Sequence, residues 1–175
     1  VSPTQLSWLT PLIGARWHDQ IVRFPAYTRR LETPYASIFS HHLAAHAETV
    51  LGPSIRTRAV AVDVTPTSVT LLGGEILKAP CVIDGRGPMK DAPLAAGLQK
   101  FVGLEIECEV PHGERSPVIM DASVDQLDGY RFVYTLPFTP TRLLIEDTYY
   151  SDTADLDGPL LEARIEKHAA AKGWR

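Results

Sequence analysis

The chain has 175 residues, 45% of them hydrophobic and 22% charged, with a formal net charge of −4. That balance suits one ordinary folded domain or pieces of two, and it excludes disordered and fibrous classes. Without a Lys/Arg run, a nucleic-acid partner is not expected. No apolar stretch reaches the roughly 18 residues that span a bilayer.

In chain order, the opening Val1-Ser2-Pro3-Thr4 reads as the interior of a longer reading frame. The first 35 residues read as irregular, broken by Pro3, Pro11, Pro25 and Pro34, with one strand at Gln20–Phe24. A helix follows, capped by Ser37, with Phe39, Leu43, Ala47, Val50 and Leu51 at helical spacing, and stopped by Gly52-Pro53. Alternation at Val60, Val62 and Val64, then Val69–Leu72 into Gly73-Gly74, predicts a β-meander that continues through Ile76–Leu77 and Cys81-Val82-Ile83. Four strands are predicted at 99–110, 117–122, 129–136 and 141–150, with Pro and Gly at the joints. A second helix is capped by Asp157, carries the stripe Leu161, Ile165 and Ala169, and ends at Gly173.

The isolated Cys81 and Cys108 sit in apolar runs and read as buried free thiols. His42 and His46 stand at i, i+4, but no third ligand accompanies them, so no metal is expected.

Carboxylates inside the later strands are the chemical signal. Alternation puts Phe101, Gly103, Glu105, Glu107 and Glu109 on one face of their strand. Glu146 and Asp147 are adjacent, so they point to opposite faces. Glu146 shares its face with Leu144, Thr148 and Tyr150, and Asp147 with Leu143, Ile145 and Tyr149. An ion pair with Arg131 or Arg142 is the structural explanation for two acids in such an apolar strand. Asp121, in Ile119-Met120-Asp121, is a further candidate for stabilising positive charge. Tyr130, Phe132, Tyr134 and Leu136 alternate onto one face as an aromatic wall.

Several stretches carry a family resemblance. They are Val82-Ile83-Asp84-Gly85-Arg86-Gly87, Gln99-Lys100-Phe101-Val102-Gly103-Leu104-Glu105, Ile119–Gln126, Gly129–Tyr134, Leu136-Pro137-Phe138 and Leu144–Ser151. Together they resemble the flavin-dependent lycopene cyclase family, in particular the lycopene β-cyclases of carotenoid-making bacteria. Leu144–Thr148 is similar to the Phe-Leu-Glu-Glu-Thr element of plant cyclases. Trp17, Val22-Arg23-Phe24-Pro25 and Tyr35 fit the same family, so the resemblance runs from about Leu12 to Trp174.

The resemblance implies an α/β fold with α+β character. Residues 36–88 would belong to a Rossmann-like FAD/NAD(P)-binding domain, and 89–150 to an antiparallel substrate sheet. Residues 1–35 and the helix at 151–175 would be parts of the substrate region. It implies reduced FAD, with NAD(P)H as reductant, and Asp84, Gly85, Arg86 and Gly87 near the flavin. The implied reaction is an acid-catalysed, non-redox closure of the ends of lycopene. Glu105 would be the leading acid and Glu146 the second, with Asp121 and Asp147 as further candidates. Phe101, Tyr130, Phe132, Tyr134 and Tyr149 would line the substrate path.

The family's glycine-rich flavin-binding start and its C-terminal helical region are not in this sequence, so the chain alone is expected to be inactive. A water-insoluble substrate implies a cytoplasmic protein peripheral to the inner face of the membrane. Rival readings are a flavin monooxygenase of related fold and a non-enzymatic carotenoid- or lipid-binding module.

Overall fold

A computed structural model describes residues 3–87, 97–127 and 129–175. The elements run α1 (Pro3–Leu9), β1 (Ile13–Trp17), β2 (Gln20–Phe24), β3 (Tyr27–Leu31), β4 (Tyr35–Ile38) and α2 (Ser40–Leu51). They continue with β5 (Ala61–Thr65), β6 (Ser68–Leu71), β7 (Ile76–Lys78), β8 (Leu98–Glu107), β9 (Val118–Asp121), β10 (Arg131–Pro137), β11 (Arg142–Ser151) and α3 (Gly158–Ala171). The chain divides into two units, Val1–His42 with Ala96–Arg175, and Leu43–Ala95.

The fold is α+β, with few helices and strands that are mostly antiparallel. In the first unit a six-stranded sheet runs β3-β2-β9-β10-β11-β8, and β1 pairs with β4 as a separate ribbon. Only the β2–β9 junction of the large sheet is parallel. The first 35 residues are thus far more ordered than the prolines suggested. Pro11 lies in the turn before β1, Pro25 in the turn between β2 and β3, and Pro34 just ahead of β4. Each proline occupies a joint, where its missing N–H breaks no ladder.

Ser37 does not cap a helix. It pairs with Ala15 in the β1–β4 ribbon, and α2 begins at Ser40. The Phe39 ring lies where a side chain on Gly14 would stand, 2.3 Å from the position of its Cβ, and edge-on to Phe138 at 5.0 Å. These long-range contacts outweigh the local capping signal.

The second unit holds the antiparallel order β5-β6-β7, turned at Gly74 with φ +83°. Val82-Ile83 is not a strand; its backbone contact is Val82 N–H to the Pro66 carbonyl at 2.9 Å. Cys81 is exposed, whereas Cys108 is buried. A strand needs a neighbour to pair with, and the described residues place none along 81–85.

The core of the first unit lies between one face of the large sheet and α3. Asp157 accepts a hydrogen bond from Leu160 N–H at 3.0 Å and caps α3. From that start, Leu161, Ile165 and Ala169 come down on the sheet and are buried. Ile165, Ala169 and Trp174 join Cys108, Val133, Leu143 and Ile145, with Val102, Leu104 and Ile106 packed alongside. Ile165→Ala is therefore expected to lower unfolding free energy by about 2–5 kcal/mol. Leu43→Ala, on the α2 helix that buries no residue, should change it by no more than about 0.5 kcal/mol. Urea denaturation of the two variants checks the contrast.

Candidate active site

Register decides which side chains share a face, because paired residues point the same way and neighbours point apart. β11 pairs with β8 through Thr148–Phe101, Glu146–Gly103 and Leu144–Glu105. It pairs with β10 through Thr148–Phe132, Glu146–Tyr134 and Leu144–Leu136. Three rows thus cross one face: Phe101–Thr148–Phe132, Gly103–Glu146–Tyr134 and Glu105–Leu144–Leu136. The opposite face carries Val102, Leu104, Leu143, Ile145, Asp147 and Val133, and is the one α3 covers.

Glu146 sits at the centre of the face turned away from α3. Burial pushes its carboxyl above the ordinary value of 4.5, and a hydrogen bond from Thr148 Oγ1 to Oε1 at 2.9 Å pulls only partly the other way. On the β10 side, Tyr134 stands directly opposite. Its hydroxyl meets that of Tyr35 on β4. Burial first, and then the Tyr35 hydrogen bond, drive the Tyr134 phenol far above its usual range, so it is neutral. On the β8 side, Gly103 has no side chain to cover the acid. A Cβ there would lie 3.8 Å from Glu146 Oε2 and 3.2 Å from Leu144 Cδ1.

Aromatic rings border this acid. Trp17 lies 6.1 Å from Tyr35 and 6.2 Å from Phe138, and Tyr35 stands edge-on to Tyr134 at 6.3 Å. The Trp17 indole N–H donates to the Pro137 carbonyl at 3.2 Å, which ties the β1–β4 ribbon to the end of β10. A second group has Tyr130 6.0 Å from Phe132 and stacked on Tyr150 at 6.3 Å. An acid whose proton-bearing form burial favours can give a proton to an alkene, and neutral aromatic faces beside it can stabilise the cation that results.

The other sequence candidates fall in separate places. Glu105 shares the face of Glu146, one row along, with an exposed side chain and Arg142 Nε at 3.8 Å. Phe101, Phe132 and Tyr134 share that face too, and Tyr130 joins through its ring contacts. Tyr149 points to the α3 side, with Lys100 Nζ 5.5 Å from its ring centroid; Tyr150 stands in the aromatic group instead.

Asp147 is wholly buried on the α3 side in a bidentate pair with Arg131, both bonds 2.7 Å. Asp121 is on that side as well, opposite Val133, and accepts from Ser123 N–H at 3.1 Å with Arg23 3.6 Å away. The sheet thus brings Glu105 and Glu146 together and keeps Asp121 and Asp147 behind it. Trp17, Tyr35 and Phe138 were absent from the site read from the sequence, although all three lie in stretches that carry the resemblance.

In the second unit, Asp84 accepts from Arg86 N–H at 3.1 Å, Nε at 2.9 Å and Nη2 at 2.7 Å, which holds its carboxyl down at about 2. Arg86 Nη1 also donates to the Ala61 carbonyl at 3.2 Å. A Cβ at Gly85 or Gly87 would meet nothing within 4 Å. Arg86 thus ties the turn both to Asp84 and to β5. Among the described residues, no group of three or more His, Cys, Asp and Glu could hold a metal ion.

The family described as lycopene cyclase protein matches residues 2–175. A lycopene beta-cyclase of Paracoccus sp. (strain N81106 / MBIC 01143) is 48% identical over 99% of this chain and 45% of its own length. One from Pantoea ananas is 43% identical over 100% of this chain and 46% of its own length. One from Pseudescherichia vulneris is 41% identical over 100% of this chain and 45% of its own length. The chain therefore spans a little under half the length of the curated relatives it matches. No solved structure matches it.

Proposed function

The chain belongs to the lycopene cyclase protein family, and we propose that the whole protein is a lycopene β-cyclase, closing the linear ends of lycopene into β-rings by way of γ-carotene to β-carotene. The observation that carries this reading is the half-buried Glu146, its proton favoured by burial, beside the Tyr35–Tyr134–Trp17 aromatic group.

The reaction adds a proton to a terminal double bond, closes a six-membered ring on the resulting cation, and releases a neighbouring proton. No atoms are gained or lost, which makes it an isomerisation of the intramolecular-lyase kind. Glu146 and Glu105 are the two carboxyls suited to this proton traffic, and they share a face. Glu105 is the acid that the resemblance implies, and Glu146 the one whose surroundings favour the proton-bearing form. Neutral Tyr134 and the rings of Trp17, Tyr35 and Phe132 offer π-faces to the cation, worth about 2 kcal/mol or more when dry. Phe101, Tyr130 and Tyr150 extend that surface along the polyene. Asp147 and Asp121 hold the sheet together from behind.

Reduced FAD, with NAD(P)H as reductant, belongs to the same reading of the whole protein, as the resemblance implies. So does the assignment of residues 36–88 to a Rossmann-like domain, with 1–35, 89–150 and 151–175 on the substrate side. Asp84, Gly85, Arg86 and Gly87 belong to the same reading as the residues near the flavin: among the described residues the Asp84 carboxylate is paired with Arg86, and the space beside both glycines is open. No proton step above runs through the cofactor. Among the described residues no helix is long and apolar enough to cross a membrane. A peripheral position on the inner, cytoplasmic face fits a substrate that water does not dissolve.

The test is complementation. The full-length gene should turn lycopene-accumulating cells from red to orange, and pigment analysis should show β-rings. Glu105→Gln should lower ring formation at least about 100-fold. Its exposed pair with Arg142 contributes no more than about 1 kcal/mol, so thermal unfolding should barely move. Retained β-ring formation in both Glu105→Gln and Glu146→Gln would remove the acid assignment, and oxygenated products would point to an oxygenase.

A further inference from the structure

Glu146 is walled on one side and open on the other. Toward β8 the opposite residue is Gly103, which puts no side chain over the carboxyl. Toward β10 stands Tyr134, its hydroxyl against that of Tyr35. Tyr35 in turn is backed by Trp17, which is buried and anchored to the Pro137 carbonyl at 3.2 Å. The ribbon carrying Tyr35 is held further by Phe39 against Phe138 at 5.0 Å. Tyr35 is therefore braced from behind, while the β8 side of the carboxyl carries no side chain.

We propose that Tyr35, through its hydroxyl contact with Tyr134, is a positioning residue that sets how far the substrate's end group advances past Gly103, and so which atoms meet Glu146. The proposal rests on the cyclase reading and deepens it by naming the residue that fixes register. Ring closure leaves a cation with more than one neighbouring C–H bond. Loss of a proton at the closure carbon gives the β-ring, while loss at another neighbour moves the remaining double bond and gives an isomeric ring of the same formula. The proton balance is identical in each case, one taken up and one released. What differs is where the end group rests, and small displacements of a reacting centre change its chemistry strongly.

Tyr35→Phe removes the hydroxyl and keeps the ring; Tyr35→Ala removes the wall. Both go into the full-length protein, with Gly103→Val added to narrow the entry. The readout is the ratio of β-rings to isomeric rings in extracted pigments, alongside kcat and KM. Tyr35→Ala should lower the β-ring fraction clearly, Tyr35→Phe should lower it less, and Gly103→Val should cut total conversion at least tenfold while keeping the parent's ring ratio.

A merely structural role for Tyr35 would lower the yield of every ring alike, because unfolded molecules make none. An unchanged ring ratio in both Tyr35 variants overturns the proposal, whatever their stability. The cyclase reading is judged separately, by whether the parent protein forms β-rings at all.

Discussion

Glu146→Gln in the full-length protein is expected to lower β-ring formation by about 10²–10⁴-fold, the usual contribution of a positioned general acid, without unfolding the protein. Gln matches Glu in shape and keeps an acceptor for the Thr148 hydroxyl, but has no proton to give. The stability readout has a definite sign. Burial raises the Glu146 carboxyl above its ordinary 4.5, so the folded state holds this proton more tightly than the unfolded chain does. That contribution is complete below the unfolded value and is lost as pH climbs toward the folded one. Relative to Glu146→Gln, the parent should therefore lose stability on going from acidic to neutral pH, and the Gln variant should unfold at the same or a higher temperature at pH 7. Differential scanning of both proteins across that range checks the stability sign, and pigment analysis checks the rate. Loss of rate together with loss of stability would instead assign Glu146 a structural role.

The chemistry-bearing strands were legible because their pattern is strong and local. β10 and β11 are long, bounded by Pro and Gly, and alternate well enough that the opposite orientations of Glu146 and Asp147 follow from parity alone. The same holds for α3, where an acidic cap, an early proline and a three-residue stripe agree. The ribbon that completes the site was not legible. β1 and β4 are five and four residues long, and only their mutual pairing makes them strands. Trp17 reaches the Pro137 carbonyl across 120 positions of sequence, and Tyr35 meets Tyr134 across 99. No local spacing encodes such contacts. Tyr149, which the resemblance put on the substrate path, shares its parity with Asp147 and so stands behind the sheet.

Asp147→Asn, one residue from Glu146, should have the reverse profile, costing about 3–5 kcal/mol of stability in urea denaturation. The parent pair is closed to water on both sides, with side-chain exposures of 7% for Arg131 and 0% for Asp147. Arg131 gives two hydrogen bonds to the carboxylate at 2.7 Å and a third, from Nη1, to the Asp125 carbonyl at 3.0 Å. Gln126 holds the same arginine by its backbone, accepting from its N–H at 3.0 Å and donating to its carbonyl at 2.7 Å. A neutral amide leaves the guanidinium buried without its counter-charge, which is the expensive half of a broken pair. Replacing both partners, as Arg131→Met with Asp147→Leu, should recover most of the loss, since no lone charge then remains. Per folded molecule, Asp147→Asn should retain ring-forming activity, because its carboxyl faces α3 and the Glu146 carboxyl faces away from it. A loss of turnover per folded molecule comparable to that of Glu146→Gln would return Asp147 to the catalytic set. Adjacent acids on one strand would then differ in environment but not in role, and the assignment of one sheet face to chemistry and the other to cohesion would fail with it.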